Sequence, residues 1–275
     1  MSNRHVIFIH GIGPVPKGYS DKLWQDMGKC GDLSEVVSHE MHYSDVFADM
    51  NAKITELSSS ADVVAWVKNV LGGSALAGQA GDAAAKALRD AVAHVVYFLF
   101  LTDPREQVLR KFRAIVKEVL DAVEYPEDAE ITIISHSLGT VVAYAGLWQI
   151  VSMQGMGAQD KVRVKDLYSL ASPLQMIEDL ANIPVVKALP LDLPPFVNQP
   201  IARPSVQYDD SGPRYNLRDW WCYIQDLDPV AWPVPLKGDF LSAPPVAFSG
   251  GAIHAFETYM RQAQQRIVDR ILGKV

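Results

Sequence analysis

The chain opens with apolar runs separated by a helical repeat. His5 to His10 is a mostly apolar run closed by glycines, and Val36 to Tyr43 is a second candidate strand. Between them, apolar residues four positions apart share one face of a helix predicted over Asp21 to Lys29, with Ser20 as its candidate N-cap. This β-α-β order predicts a parallel sheet, because parallel neighbours need a crossover connection.

Residues 45 to 102 break this alternation. The alanine-rich stretches Ala61 to Val70 and Ala83 to Phe100 have helical patterns, with glycine-rich sequence between them. We interpret residues 45–102 as a helical insertion within a single domain of residues 1–275. Its apolar side chains fit a cap packed on the sheet or a partly exposed face for lipid or a partner. Packing is the more common arrangement, because large exposed apolar patches are rare.

A clear helix follows the insertion. Asp103 is its predicted N-cap, Pro104 suits the first helical position, and Glu106 would complete a capping box. The apolar residues of this helix recur every three or four positions: Val108, Phe112, Ile115, Val119 and Val123. The helix ends before Glu130, where a strand is predicted to begin.

That strand leads into the most informative motif of the chain. The apolar run Ile131 to Ile134 continues directly into Ser135-His136-Ser137-Leu138-Gly139, and a helical pattern over Leu138 to Gln149 begins at once. A serine on such a strand-to-helix turn exposes its hydroxyl above the sheet, and the turn needs small residues two before and two after it. Ser135 and Gly139 meet that need, so Ser137 is the candidate nucleophile.

The second half of the chain alternates strands with a proline-rich region. Val162 to Ala171 and Asp219 to Ile224 are predicted strands, and Val246 to Phe248 is a short one. Between Pro184 and Pro245 lie 12 of the 17 prolines, which disfavour helices and inner strands there. The last helix has apolar residues along one face: Phe256, Met260, Ala263, Ile267 and Ile271.

A serine nucleophile needs a base, and the base needs an orienting carboxylate. In a parallel sheet these groups come from loops after the strands. The strand Asp219 to Ile224 is followed by Asp226 and Asp228, of which Asp228 is our preferred acid, with Asp226 as the alternative. His254 is the candidate base, because it stands at the junction between a glycine-rich loop and the last helix.

The remaining histidines have positions that suit catalysis less well. His5 and His94 lie in apolar runs typical of core histidines, and His39 and His42 are placed on opposite faces of a strand. His136 precedes the nucleophile and should point away from its hydroxyl. No His, Asp or Glu cluster has metal-ligand spacing, so we predict no metal site.

Attack on a carbonyl also requires donors for the developing oxyanion. The backbone N–H of Leu138 follows directly from the turn. The loop His10-Gly11-Ile12-Gly13, placed after the first strand, predicts the N–H of Ile12 as the second donor. The residues that contact the substrate cannot be assigned from the sequence.

Bulk composition excludes several other classes of protein. With 49% hydrophobic residues, 21% charged residues and a net charge of −7, the chain is ordinary globular and has no basic cluster of the kind nucleic acids need. Cys30 and Cys222 are the only cysteines, which fits a reducing compartment. Because no apolar run is long enough for a signal peptide or a membrane span, we expect a cytoplasmic protein without a transmembrane segment.

Taken together, the motifs resemble the α/β-hydrolase superfamily, and more narrowly its lipase/esterase-like members. The matching segments are Phe8 to Gly13, Ser135 to Gly139, Asp228 to Val230, and His254, in the family's order of Ser, Asp and His, with serine replacing the first elbow glycine. The likeness extends over most of the chain as architecture, whereas the motifs cover a small part of it.

The resemblance implies an α/β fold with a mostly parallel sheet of about six strands flanked by helices. The insertion at about 45–102 and the proline-rich region at about 174–217 would lie over the site. It also implies a cofactor-free acyl-enzyme mechanism, with Ser137 as nucleophile, His254 as base and acid, and Asp228 as its orienter. The expected activity is hydrolysis of a small carboxylic ester, with a hydrophobic acyl or lipid-like group favoured by the apolar insertion.

Two other interpretations stay open at this point. A thioesterase or acyltransferase would use the same triad, and the sequence does not separate these activities. A non-catalytic hydrolase-fold module that binds a partner through residues 45–102 is the alternative from another class. The oligomeric state is not determined by the sequence.

Overall fold

The computed structural model describes most of the chain. The described residues are 2–13, 15–48, 50–72, 82–125, 128–152, 163–177, 180, 183–188, 205–207, 213–215, 217–226, 228, 230–231, 241–250 and 254–275.

A six-stranded sheet forms the centre of the fold, and all of its strand pairs are parallel. The strands run in the spatial order β2-β1-β3-β4-β7-β8. Their bounds are β1 Arg4–Ile9, β2 Val36–Met41, β3 Glu130–His136, β4 Val164–Leu170, β7 Leu217–Gln225 and β8 Val246–Phe248. A separate antiparallel pair joins β5 Ser205–Gln207 to β6 Pro213–Tyr215. The predicted α/β class with a largely parallel sheet of about six strands is confirmed.

Helices of very different length connect and cover the strands. In chain order they are α1 Asp21–Gly28, α2 Ser44–Ala48, α3 Asn51–Ser59, α4 Ala61–Gly72, α5 Asp82–Phe100, α6 Thr102–Asp121, α7 Leu138–Ser152, α8 Pro184–Lys187 and α9 Phe256–Ile271. Helix α1 contacts α9, whereas α6 contacts α7. Because both faces of the sheet are covered, every residue after the first in the central strands β1 and β3 is buried, rather than every second one.

The order of the strands creates a natural crevice. From β1 the chain goes outward to β2 on one side and returns to β3 on the other side. Neighbouring connections therefore leave the carboxyl ends of β1 and β3 in opposite directions, which opens a gap between the two loops. The loop that begins at His10 and the turn at Ser137 are the two walls of this gap.

Helices α2 to α5 occupy the stretch that was predicted to be an insertion. Helix α5 contacts α3, α4, α6 and α7, and its apolar side chains from Leu88 to Leu99 are buried in the core. Among the described side chains, the large apolar ones that are exposed are Val37, Tyr125 and Val275, none of them in these helices. The described part of this region therefore packs its apolar side chains against neighbouring helices. The glycine-rich residues 73–81 lie outside the described residues.

Two predicted helix caps are wrong. Helix α6 begins at Thr102, one residue before the predicted cap, and neither Leu101 nor Asp103 provides a side-chain cap. Asp103 instead lies in the first turn, where a negative charge interacts favourably with the helix dipole. At α1, the hydroxyl of Ser20 donates to Glu40 of the neighbouring strand, 2.9 Å away, and does not cap the helix.

Much of the proline-rich region, including 189–204, 208–212 and 232–240, lies outside the described residues. The part that is described includes the strands β5 and β6 and the short helix α8. Among the described residues, no helix combines the length and the apolar character that a membrane span requires.

A buried ion pair fixes α9 against the sheet. Arg270 donates through Nε to Oδ1 of Asp166 at 2.7 Å, and Trp221 donates to the same oxygen at 2.9 Å. Asp166 has no exposed surface, and Arg270 also contacts Asp219 on the next strand. Removing the guanidinium would leave a buried carboxylate without its charged partner, which is strongly destabilising.

We expect Arg270→Met to lower the free energy of unfolding by about 3 kcal/mol, because Asp166 then stays charged and unpaired. The double variant Asp166→Asn, Arg270→Met should lose less than the sum of the single variants, as urea denaturation of all three would measure. Lys274→Met, which removes an exposed ion pair with Asp269, is the control and should change stability by less than about 1 kcal/mol. Additive losses would contradict the coupling.

Candidate active site

Ser137 stands on a strained turn at the end of β3. Its φ angle is 53°, a left-handed conformation that non-glycine residues rarely adopt. Gly139 makes the turn possible, because a Cβ at that position would lie 2.4 Å from the carbonyl oxygen of His10. Helix α7 begins directly at Leu138, which places the Leu138 N–H at a helix N-terminus. The strand-turn-helix geometry is the one predicted for this motif, but Ser137 is only 1% exposed, so the predicted exposure of its hydroxyl is wrong.

His254 reaches Ser137 from the opposite end of the chain. Its Nε2 lies 2.8 Å from Oγ of Ser137, although the two residues are 117 positions apart. Its Nδ1 lies 3.0 and 2.9 Å from the two carboxylate oxygens of Asp228. The φ angle of His254 is 58°, so the base as well as the nucleophile has a rarely populated backbone conformation. The structure thus brings Ser137, His254 and Asp228 together in one hydrogen-bonded series.

Asp228 lies just after β7 and has no exposed surface. Besides His254, its carboxylate accepts hydrogen bonds from the backbone N–H of Val230 at 2.8 Å and from the hydroxyl of Tyr259 at 2.5 Å. The alternative acid, Asp226, is only partly buried, and its backbone N–H donates to Phe248 of β8. Asp228 is therefore the aspartate that contacts the imidazole.

Hydrogen-bond donors and the nearby His254 keep the buried carboxylate of Asp228 charged. Burial by itself raises the pKa of Asp228, because it disfavours the ionised form. The neighbouring His254 and the hydrogen bonds from His254, Tyr259 and Val230 outweigh that effect, so the pKa of Asp228 is lowered below its usual value. An ionised Asp228 holds the Nδ1–H of His254 and leaves Nε2 free to accept a proton.

The loop after β1 packs directly against the nucleophile. A Cβ at Gly11 would lie 2.8 Å from Cβ of Ser137, so only glycine allows the loop to approach this closely. His10 holds the loop in place by stacking on Tyr43 at 4.1 Å between ring centroids and by contacting the carbonyl of Gly11 at 2.6 Å. Ile12, the predicted second oxyanion donor, follows Gly11 and is partly exposed beside the site.

Burial holds His10 neutral. It lowers the pKa of His10 to about 4, because the charged imidazolium would lose its hydration. The neutral ring keeps Nε2 as an acceptor for the backbone N–H of Tyr43, 3.3 Å away. The orientation of the predicted oxyanion loop therefore depends on a hydrogen bond that protonation of His10 would break.

Tyr259 and Gln225 support the candidate site, and the sequence reasoning did not select either of them. The hydroxyl of Tyr259 accepts the backbone N–H of Gln225 at 2.9 Å while it donates to Asp228. The side-chain oxygen of Gln225 accepts the backbone N–H of His254 at 3.3 Å. Both residues fix the loops that hold the acid and the base. Tyr259 is not part of the apolar stripe predicted for the last helix, and nothing in the spacing of the sequence indicates that its hydroxyl contacts Asp228.

His136 packs behind the imidazole of His254. The two ring centroids are 4.8 Å apart, and His136 stacks on Phe256 at 5.0 Å. Its Nε2 is buried and has no hydrogen-bond partner among the described residues. The pKa of His136 lies well below its usual value. Burial is the main cause, and the nearby ring of His254 lowers the pKa further. A cavity of about 220 Å³ borders both histidines, Ile12 and Tyr19.

The other serines near the turn have structural contacts. Ser135 has no exposed surface and donates to the carbonyl of Tyr168 at 2.9 Å. Ser172 is buried and lies 2.8 Å from the hydroxyl of Thr140. The hydrogen bond to His254 distinguishes Ser137 from both of them. Among the described residues, no group of three or more His, Cys, Asp or Glu side chains is arranged to hold a metal ion.

Comparisons with protein-family models and with curated proteins found no match to this chain. The assignment of a function therefore depends on the geometry of the site itself.

We expect His136 to make the stability of the fold sensitive to acid. Below a pH of about 6.5 the unfolded chain binds a proton at this position and the native protein does not, so the free energy of unfolding falls as the pH is lowered, by up to about 1.4 kcal/mol per pH unit. His136→Phe keeps the stacking on Phe256 and removes the titrating ring. Its stability should fall less than that of the wild type between pH 7.5 and 5.5 in urea denaturation.

The other histidines with a lowered pKa, His5, His10 and His94, remain in both proteins, so their contributions cancel in this comparison. An identical pH dependence in the wild type and in His136→Phe would show that His136 takes up its proton in the native state.

Proposed function

We propose that the protein is a serine hydrolase that cleaves carboxylic esters on an α/β-hydrolase fold. The observation that carries this proposal is the hydrogen-bonded series from Ser137 through His254 to Asp228. It is supported by the left-handed turn at Ser137 and by the position of the site at the switch point of the parallel sheet.

In the first half of the reaction, Oγ of Ser137 attacks the ester carbonyl while Nε2 of His254 takes the hydroxyl proton. The carbonyl electron pair moves onto oxygen, where the N–H groups of Ile12 and Leu138 stabilise the negative charge. When the carbon–oxygen bond to the alcohol breaks, the imidazolium of His254 returns its proton to the departing oxygen. The products of this half are the free alcohol and an acyl group on Ser137.

In the second half, water takes the position of the alcohol. His254 removes a proton from the water, whose oxygen attacks the acyl carbonyl through a second oxyanion. Collapse of this intermediate breaks the bond to Oγ of Ser137, which regains its proton from His254 and releases the carboxylic acid. Asp228 stabilises the imidazolium in both halves and stays ionised itself.

In this proposal, helices α2 to α5 form a helical insertion near the crevice, whereas most of residues 174–217, predicted as a second cover of the site, lies outside the described residues. The insertion borders the loop that contains Ile12, because α2 and α3 line a cleft with that loop. Their apolar packing favours a hydrophobic acyl group as the substrate. Thioesterase or acyltransferase chemistry would use the same three residues with a different leaving group or acceptor.

A fluorophosphonate probe should label the folded protein covalently at Ser137, because His254 activates that hydroxyl. Ser137→Ala should abolish labelling and lower kcat for p-nitrophenyl butyrate by at least about 10³-fold. Ser135→Ala and Ser172→Ala are the matched controls, and labelling of both should persist. Folded wild type that resists the probe would favour a binding module, and labelling that survives Ser137→Ala would move the nucleophile elsewhere.

Replacing each candidate aspartate in turn with asparagine shows which of the two is the acid that orients His254. Asp228→Asn should lower kcat by up to about 10⁴-fold, because a neutral amide no longer fixes the tautomer of His254 or stabilises its charge. Asp226→Asn is the matched control, and its kcat should stay within a few-fold of the wild type. Steady-state hydrolysis of p-nitrophenyl butyrate measures both. A large loss confined to the Asp226 variant would reverse the assignment of the acid.

A further inference from the structure

A cleft of about 400 Å³ opens beside the proposed oxyanion loop. Gly11 and Ile12 form one wall of the cleft, and Gly11 is also in contact with Ser137. The opposite wall consists of α2 and the start of α3, with His94 of α5. The cleft therefore shares the Gly11 wall with Ser137, which does not itself line it, and is bordered by the helices that follow β2.

An ester consists of an acyl part and an alcohol part, here called its acyl arm and its alcohol arm. The cleft can hold only one of them. The alcohol arm must leave within reach of His254, because that residue protonates it. His254 does not line the cleft, whereas Ile12, the proposed donor to the oxyanion, does. Apolar side chains such as Val15, Phe47 and Ala48 contribute most of its surface. The acyl arm is therefore the part of the substrate that fits here.

Polar side chains also line the cleft, and His94 is the one contributed by α5. Nδ1 of His94 lies 2.7 Å from the carbonyl oxygen of Asp90 in the preceding turn of α5, so Nδ1 carries the proton and donates it. Burial lowers the pKa of His94 below its usual value, which keeps the ring neutral at pH 7. In that tautomer Nε2 is an acceptor with a free lone pair.

Nε2 is the unengaged ring nitrogen of His94, a residue that lines the cleft. It has no hydrogen bond to any described residue, and it is not one of the fully buried unpartnered atoms found in the described chain. The edge of its ring packs with Phe47 at 5.6 Å between centroids, which holds the ring at the cleft. The other two histidines of the wall are engaged: His10 with Gly11 and Tyr43, and His42 through Nε2 with the carbonyl of Val15.

We infer that this cleft binds the acyl group of the substrate and that His94 selects an acyl chain carrying a hydroxyl group, which donates to Nε2. The inference depends on the proposed ester hydrolysis and narrows its substrate class. A plain alkyl chain would fill the apolar part of the cleft but would leave this acceptor dehydrated and unpaired, which is unfavourable.

The experiment compares p-nitrophenyl hexanoate with its analogues hydroxylated at successive carbons of the acyl chain, using the full-length protein. In the wild type, kcat/KM for one positional isomer should exceed that for hexanoate by roughly tenfold, the effect of a single well-placed hydrogen bond. In His94→Phe, which keeps an aromatic ring but no acceptor, the ratio should fall to about one. His94→Gln restores an acceptor and should recover part of the preference.

The position of the acyl arm is tested separately by filling the cleft. Ala48→Phe should lower kcat/KM for hexanoate relative to acetate, because the new ring occupies the cleft. Val46→Phe lies on the same helix but borders a different cavity, so it should keep the chain-length profile of the wild type.

The outcomes separate the two proposals. Folded wild type with neither fluorophosphonate labelling nor ester hydrolysis would overturn the proposed function and this inference with it. Labelling and hydrolysis without any preference for a hydroxylated chain, or a preference that His94→Phe retains, would overturn the inference alone. An unchanged chain-length profile in Ala48→Phe would place the acyl arm elsewhere.

Discussion

A buried carboxylate is the constraint on which the candidate site depends. Asp228 has no exposed surface, and a charge in that position is tolerated only when donors surround it. Its donors come from three places: the loop that contains His254, the backbone two residues onward, and Tyr259 of α9. The hydrogen bonds that these donors make to the Asp228 carboxylate therefore fix the last helix, the end of β7 and the His254 imidazole relative to one another.

The ion pair between Arg270 and Asp166 extends this organisation along α9. It holds the far end of the helix on β4, while Tyr259 near the other end contacts Asp228. At the edge of the sheet, the three non-glycine residues with positive φ among the described residues are Ser137, Ala171 and His254. Unfavourable backbone conformations thus collect around the candidate site, where the surrounding packing has to compensate for them.

Sequence reasoning was most accurate where a segment has one dominant periodic signal. The continuous apolar strands β1 and β3 and the repeat along α6 lie close to their predicted positions, because burial on both faces or on one stripe leaves a direct pattern. Local capping rules failed at Ser20 and Asp103. The hydroxyl of Ser20 donates its hydrogen bond to Glu40 of β2 instead of capping α1. Helix α6 begins at Thr102, one residue before the predicted cap Asp103. Short-range preferences of about 1 kcal/mol give way to tertiary contacts of similar size.

The sequence by itself determined the class of fold and nominated Ser137, His254 and the pair Asp226 and Asp228, because apolar periodicity and a small-residue turn are local properties. Only the tertiary structure decided which of Asp226 and Asp228 meets the imidazole, since a difference of two residues depends on the turn after β7. It alone placed Tyr259, Gln225 and His136 at the site and His94 on the cleft. These contacts join residues far apart in the chain, and hydrogen bonds of that kind leave no periodic trace in the sequence.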